Sequence, residues 1–279
     1  MTQEVLLEEL DFIAKRVVDQ CLSDKGFVLY SGGIDSAILA TLVMNKVRPK
    51  AWGLFTLGVS GSQDTTNLIA ESNLWNLLSS FRRIVREIDK ERVTAAAKET
   101  AKIVNVPSIS HFEDCTAFYL ICEEINKIAE GKDSILLSAN GPDELFCGYD
   151  RFRRIVDEGG YKAAELEITR ALDLSNILRA QVKLIATHFE LAILEPFFQT
   201  DFVNFCSKKI PIELKILKND DMLRKRIWRR YGEYLSIPNE IVTKRKKAMQ
   251  YSMGIHKSIL SLVKRGELTI ERDSLKATI

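Results

Sequence analysis

The six residues Ser31-Gly32-Gly33-Ile34-Asp35-Ser36 join a short apolar run to a stretch with helical periodicity. Adjacent glycines remove the Cβ atoms that keep a backbone away from a ligand, and two hydroxyls and a carboxylate border the space so cleared. At the end of a strand, where the N-terminus of a helix turns its N–H groups outward, this composition predicts an anion site. It is neither GxxxxGK[ST], since no lysine follows the glycines, nor GxGxxG. A carboxylate inside an anion loop calls for a cation between them, so Asp35 implies Mg²⁺ shared with a phosphate. The plain alternative is a Gly-Gly turn in which Asp35 and Ser36 cap the next helix.

A second stretch, "LLSANGPDELFCGYDRF" from Leu136 to Phe152, has the same character. Gly141 closes an apolar strand, Pro142 suits a first helical position, and Asp143 and Glu144 fall in the first turn. A helix dipole favours acids there with or without a ligand. Two strand ends that each present an acid to one sheet edge nevertheless favour a divalent-metal site built from Asp35 and Asp143.

The elements that must position these residues follow from periodicity. Val5, Leu6, Leu10, Ile13, Val17 and Val18 recur at helical spacing and predict an opening amphipathic helix. "GFVLY", "AWGLFTLG", "FRRIVREI" and "SILLSAN" read as four strands. "DSAILATLVMNKV", "QDTTNLIAESNLWNLL", "DKERVTAAAKETAKIV" and a segment from Cys115 to Glu130 read as helices between them. Strands alternating with helices predict an α/β fold with a doubly wound parallel sheet. From about Tyr149 the strand-like runs largely vanish, and "AAELEITRALDLSNILRAQVKLIATHFELAIL" and "DDMLRKRIWRRYGEYL" read as helices. The chain therefore divides into an opening helix (1–25), an α/β region (26–150) that carries both loops and a mostly helical region (151–279) that completes the same unit.

Composition narrows the partners. Forty basic against 38 acidic residues leave a formal charge of +2, which makes no case for wrapping nucleic acid or an anionic membrane. The five cysteines show no CxxC pair and no metal-like alternation with His111, His188 and His256, as expected of a reduced, cytoplasmic protein. No apolar run is long enough to span a bilayer, and the charged amphipathic N-terminus is not a secretory leader.

Taken together these stretches resemble a known family. "SGGIDS" resembles the pyrophosphate loop of the N-type ATP pyrophosphatases, the PP-loop superfamily with its adenine nucleotide alpha hydrolase-like (HUP-type) sheet. "FTLGVSGSQD" and "SANGPDELFCGY" resemble the synthetase domain of asparagine synthetases. "KRIWR" from Lys225, "IPNEI" from Ile237 and "KRKKAMQYSMG" from Lys244 resemble that family's K-x-x-L-R, L-P-x-x-I and R-x-K-x-x-Q-Y blocks, most nearly in their archaeal form.

The resemblance implies ATP as a substrate and Mg²⁺ as its companion. Ser31, Gly32, Gly33, Asp35 and Ser36 would hold the leaving pyrophosphate, with Asp35 and Asp143 as the magnesium-associated acids. Tyr30, Leu57, Ser138 and Ala139 would hold the adenosine beside Gly141. Lys246, or Lys247 one residue on, matches the lysine that neutralises the phosphates, although four consecutive cations also suit a solvated surface. Of the cations in "RKRIWRR", only Lys225 and Arg229 match a family block; the others read as helix surface.

Two departures stand out. The family's glutamate near the incoming amine is Asn140, which can orient a nucleophile but cannot take its proton. The family's E-x-R-x-P-F-L-D becomes Ala192, Leu194, Pro196, Phe197, Phe198 and Gln199, and helical spacing makes Glu190 and Glu195 poor stand-ins. The expectation is an adenylating, amide-forming ligase that joins a small-molecule carboxylate to ammonia or another amine, with aspartate as substrate in doubt. No glutaminase block precedes the synthetase region, so a separate glutaminase subunit is a possible nitrogen source. The alternatives are an NAD-synthetase-like amidating enzyme and a nucleotide-binding regulatory subunit without catalysis.

Overall fold

The eight residues Trp52–Val59 are buried along their whole length. A continuous apolar run without alternation belongs inside a parallel sheet covered on both faces. In the computed structural model, which describes residues 2–47, 51–60, 78–79, 81–106, 108–129, 134–219, 221–245 and 255–268, it does lie there. Strands β1 (Gly26–Leu29), β2 (Trp52–Val59), β3 (Arg82–Ile88), β4 (Ile135–Leu137) and β5 (Ala192–Leu194) form one parallel sheet in the order β3-β2-β1-β4-β5. The edge strand β3 turns Arg82 and Arg83 to solvent, and charge on an edge discourages pairing with another chain.

Helices cover both faces. On one side α1 (Gln3–Asp19), α2 (Ile34–Met44), α7 (Thr200–Lys208) and α8 (Arg226–Tyr234) enclose a core containing Leu10, Ile38, Phe146 and Trp228. On the other, α3 (Lys90–Ile103), α4 (Ile109–Asn126), α10 (Ile255–Lys264) and the end of α6 (Asp150–His188) enclose Phe118, Ile125, Ile185 and Ile259. The short helices α5 (Pro142–Leu145) and α9 (Asn239–Val242) complete the set. Helix α6 is broken at Gly160, where φ is 73°. No described helix is long and apolar enough to cross a membrane, and all five cysteines are buried and unpaired.

The mostly helical C-terminal half agrees with the sequence reading, but three elements differ. Helix α4 begins six residues before Cys115, because Ser108 accepts the backbone N–H of His111 and so caps it; the apolar stripe that marks the helix starts a turn and a half later. Helix α8 spans only Arg226–Tyr234. The end of the segment read as "ATHFELAIL" helix is instead β5, because α6 stops at His188, Glu190 takes a left-handed φ of 56°, and Ala192–Leu194 pairs with β4. Three residues carry no period that separates strand from helix. Most of the helix read at "QDTTNLIAESNLWNLL" lies outside the described residues.

Candidate functional site

Strand order reverses between β1 and β4, and in open α/β sheets the crevice at the carboxyl ends of such a pair is where ligands bind. Here it opens into a cleft of about 720 Å³. Tyr30, Ser31, Gly32, Gly33, Asp35 and Ser36 line it after β1, Leu57 from within β2, and Ser138, Ala139, Asn140 and Asp143 after β4. Gly141 does not line the cleft; it caps α5 at φ 117°, with the Phe197 carbonyl 3.0 Å from where a Cβ would stand. Lys246 and Lys247 lie outside the described residues, while the preceding Lys244 and Arg245 line the cleft.

The loop after β1 is held by its own hydroxyls. Ser36 Oγ donates to the Gly33 carbonyl at 3.0 Å and accepts the backbone N–H of Ser31 at 3.2 Å. Gly33 caps α2 with no side-chain bond, so the helix opens into the cleft without an internal acceptor at its cap. Lys244 Nζ reaches the Gly32 carbonyl at 3.4 Å, and its segment is anchored by Arg229, whose guanidinium bonds the carbonyls of Val242 and Lys244. Thr56 Oγ1 donates to the Tyr30 carbonyl at 2.8 Å, tying β2 to the start of the loop.

Asp35 and Asp143 do converge, and the group between them is Lys225. Its Nζ lies 2.5 Å from Asp35 Oδ2 and 2.6 Å from Asp143 Oδ1, with the lysine side chain 2% exposed. Burial alone would push the ammonium pKa down; the charges of Asp143 and then Asp35 outweigh it and hold the pKa above its ordinary value. The other Asp35 oxygen accepts Trp228 Nε1 at 2.8 Å. Lys225 reaches the acids from the left-handed cap of α8, beside Arg224, which donates to the Gly148 carbonyl at 3.1 Å and to Asp150 at 2.8 Å. Arg224 is therefore a buried tether of this turn and not the surface cation its neighbourhood in the sequence suggests.

Gly148 makes room for this cluster. A Cβ there would stand 1.9 Å from Asp143 Oδ1, 2.2 Å from Lys225 Cε and 2.9 Å from Asp143 Cα. Gly148→Ala is expected to lower stability by about 1–3 kcal/mol, as overpacking does, and to separate the two acids. Thermal unfolding checks it; an unchanged Tm would show that the cluster opens without strain.

A second set of side chains occupies the β4–β5 side. Glu144 accepts Tyr149 Oη at 2.7 Å and Ser175 Oγ at 2.6 Å. Burial, then the charge of Asp143, push its carboxyl above the usual range against the pull of those two bonds. Glu195, just past β5, accepts Asn140 Nδ2 at 3.0 Å and Arg179 Nε at 2.6 Å. Glu195 is thus joined to the site that helical spacing denied it, because the strand ends at Leu194 and the next residue reaches the sheet edge. Gln199, by contrast, donates to Cys21 Sγ at 3.0 Å after the first helix, so that departure lies away from the cleft. Arg179 and Glu195 carried no motif in the sequence. Lys225 carried a block match but no sign of its partners, which are more than 80 residues away.

Among the described residues no group of three or more His, Cys, Asp or Glu side chains could hold a metal by itself. Asp35 and Asp143 nevertheless fit a magnesium ion completed by phosphate oxygens: two hard carboxylates from separate strand ends already meet around one cationic atom.

The chain is 26% identical over 215 residues to asparagine synthetase (glutamine-hydrolyzing) 2 of Oryza sativa subsp. japonica, covering 74% of this chain and 35% of that protein. It is 26% identical over 277 residues to putative asparagine synthetase (glutamine-hydrolyzing) 1 of Methanocaldococcus jannaschii, covering 87% of this chain and 48% of the relative. The chain thus spans between a third and a half of the length of these curated relatives. A solved NMN synthetase from Francisella tularensis aligns over 98% of this chain and 99% of its own at 13% identity, with a TM-score of 0.42. The Asparagine synthase family profile matches residues 12–192, and the chain belongs to that family.

Proposed function

We propose that this chain is an ATP-dependent, AMP-forming amide ligase. The observation that carries the reading is the meeting of an anion loop at the N-terminus of α2 with two carboxylates from separate strand ends at the reversal of strand order. Loop N–H groups and the α2 dipole suit the leaving β,γ-pyrophosphate. Asp35 and Asp143 would hold Mg²⁺, which when bound offsets phosphate charge. Tyr30, Leu57, Ser138 and Ala139 form the wall on which the adenosine would lie; Lys244 and Arg245, and in sequence Lys246 or Lys247 after them, would supply positive charge to the phosphates.

The substrate carboxylate attacks the α-phosphorus, the bond to pyrophosphate breaks, and an amine then displaces AMP from the acyl-adenylate. The residues of this site orient the reactants and stabilise negative charge, which is most of what such displacements require. Ammonia, a separate glutaminase subunit or another amine would supply the nitrogen, in a cytoplasmic setting where five thiols stay reduced.

The test is Mg²⁺-dependent pyrophosphate release across a panel of carboxylic acids, aspartate included, with ammonium and amines present. AMP and pyrophosphate in equal amounts with one acid are the expected result. ADP as product, or ATP bound with no turnover for any pair, would overturn the reading, the latter in favour of a regulatory nucleotide-binding subunit.

A further inference from the structure

The Asn140 carboxamide is not free to choose its orientation. Its Nδ2 donates to Glu195 Oε1 at 3.0 Å. A carboxylate offers only acceptors, so the amide must turn its NH₂ toward Glu195 and its Oδ1 the other way. Asn140 lines the cleft, and its Oδ1 takes no partner among the described residues. Glu195 is 4% exposed at its side chain and accepts Arg179 Nε through its other oxygen. Arg179 lies 4.2 Å over the Phe198 ring and donates Nη1 to Asn176 Oδ1 at 3.1 Å. Its Nη2 has no partner among the described residues, and the side chain lines the same cleft.

One buried carboxylate therefore holds a neutral acceptor and a cationic donor as close neighbours. Ammonia would use the acceptor and leave the guanidinium idle. A guanidinium forks naturally between two carboxylates, one of which is already Glu195. We propose, resting on the ligase reading above, that Asn140 and Arg179 form the subsite of the second substrate and that this substrate is an amine carrying its own carboxylate. Its N–H lies on Asn140 Oδ1, its carboxylate on Arg179, and its carbon skeleton against Leu174, Leu178 and Phe198. Glu195 is a positioning residue that sets both groups. In the step, the nitrogen lone pair forms the C–N bond, the acyl C–O bond to AMP breaks with its electrons leaving on AMP, and the surplus proton goes to water. Asn140 accepts a hydrogen bond and no proton.

The experiment is thermal unfolding of the full chain with Mg²⁺ and an ATP analogue whose α,β-bridge cannot be cleaved. The twenty common amino acids are added at about 10 mM, each beside the amine that lacks its carboxylate and beside ammonium chloride. At least one amino acid is expected to raise Tm by roughly 2–4 °C where its decarboxylated amine and ammonium do not. Arg179→Gln and Glu195→Gln should erase that difference, and Arg179→Lys, which keeps the charge, should restore part of it. If no amino acid shifts the wild-type chain although the analogue does, or if the decarboxylated amines serve equally well, the inference fails and the ligase reading stands. If the analogue itself gives no shift, the ligase reading fails and this inference with it.

Discussion

Lys225→Met is expected to destabilise the protein by about 3–5 kcal/mol, the usual cost of removing one member of a buried ion cluster. In a chain of this size that lowers Tm by roughly 10 °C. The lysine side chain is 2% exposed and lies within 2.6 Å of both Asp35 and Asp143. Without it, two carboxylates from different strand ends face each other with no cation between them.

The pH dependence follows from the sign of the shift. The folded ammonium pKa is raised above its ordinary value. Its stabilisation is therefore present below the unfolded lysine pKa and lost as pH rises through the folded one. The deficit of the variant should therefore shrink as pH rises through the folded lysine pKa, where the wild-type chain loses the same charge. Mg²⁺ should raise Tm in the variant more than in the wild type. A deficit independent of both pH and Mg²⁺ would mean that Lys225 acts by packing alone.

Asp35→Asn is expected to lower pyrophosphate release at saturating ATP on the order of a hundredfold or more, as loss of one well-placed electrostatic group does. The carboxylate accepts Trp228 Nε1 on one oxygen and Lys225 Nζ on the other. An amide has a single oxygen, so one of those donors would meet an NH₂ group. The structural part of the cost should stay near 1–3 kcal/mol, the range for a buried polar group left unsatisfied. Pyrophosphate release and thermal unfolding measured on the same preparation separate the two effects. Near-normal turnover would remove Asp35 from the pyrophosphate site.

The arrangement also has a consequence for loading. Lys225 holds together the two acids that, on the proposed reading, would carry a magnesium ion. On the ligase reading, binding of Mg²⁺-ATP would therefore have to be reconciled with a resident ammonium, either beside it or by turning it toward the phosphates. Both routes keep the positive charge at the site, and both leave Gly148 as the residue whose missing side chain gives the lysine its place.

Much of this was legible in the sequence because it is written locally. Ser31–Ser36 and Asn140–Glu144 each sit within a few residues of a strand end, and strand and helix alternate with clear periods up to Tyr149. That suffices to place both loops at one sheet edge, since a parallel sheet leaves its strand ends together. Asn140, Ala192, Leu194 and Gln199 were visible as departures from the family. What each departure does was not, because Gln199 turns to Cys21 while Asn140 turns to Glu195.

By itself, then, the sequence determined the fold class, the family and the placing of the Ser31–Ser36 loop at the sheet edge, all of which depend on short-range pattern. Only the tertiary structure decided the partners of the charges. Lys225 meets Asp35 across 190 positions, and Glu195 meets Asn140 across 55. No local period encodes such pairs, because the desolvation that makes a buried charge seek its counterpart is felt only once the surrounding elements have closed around it.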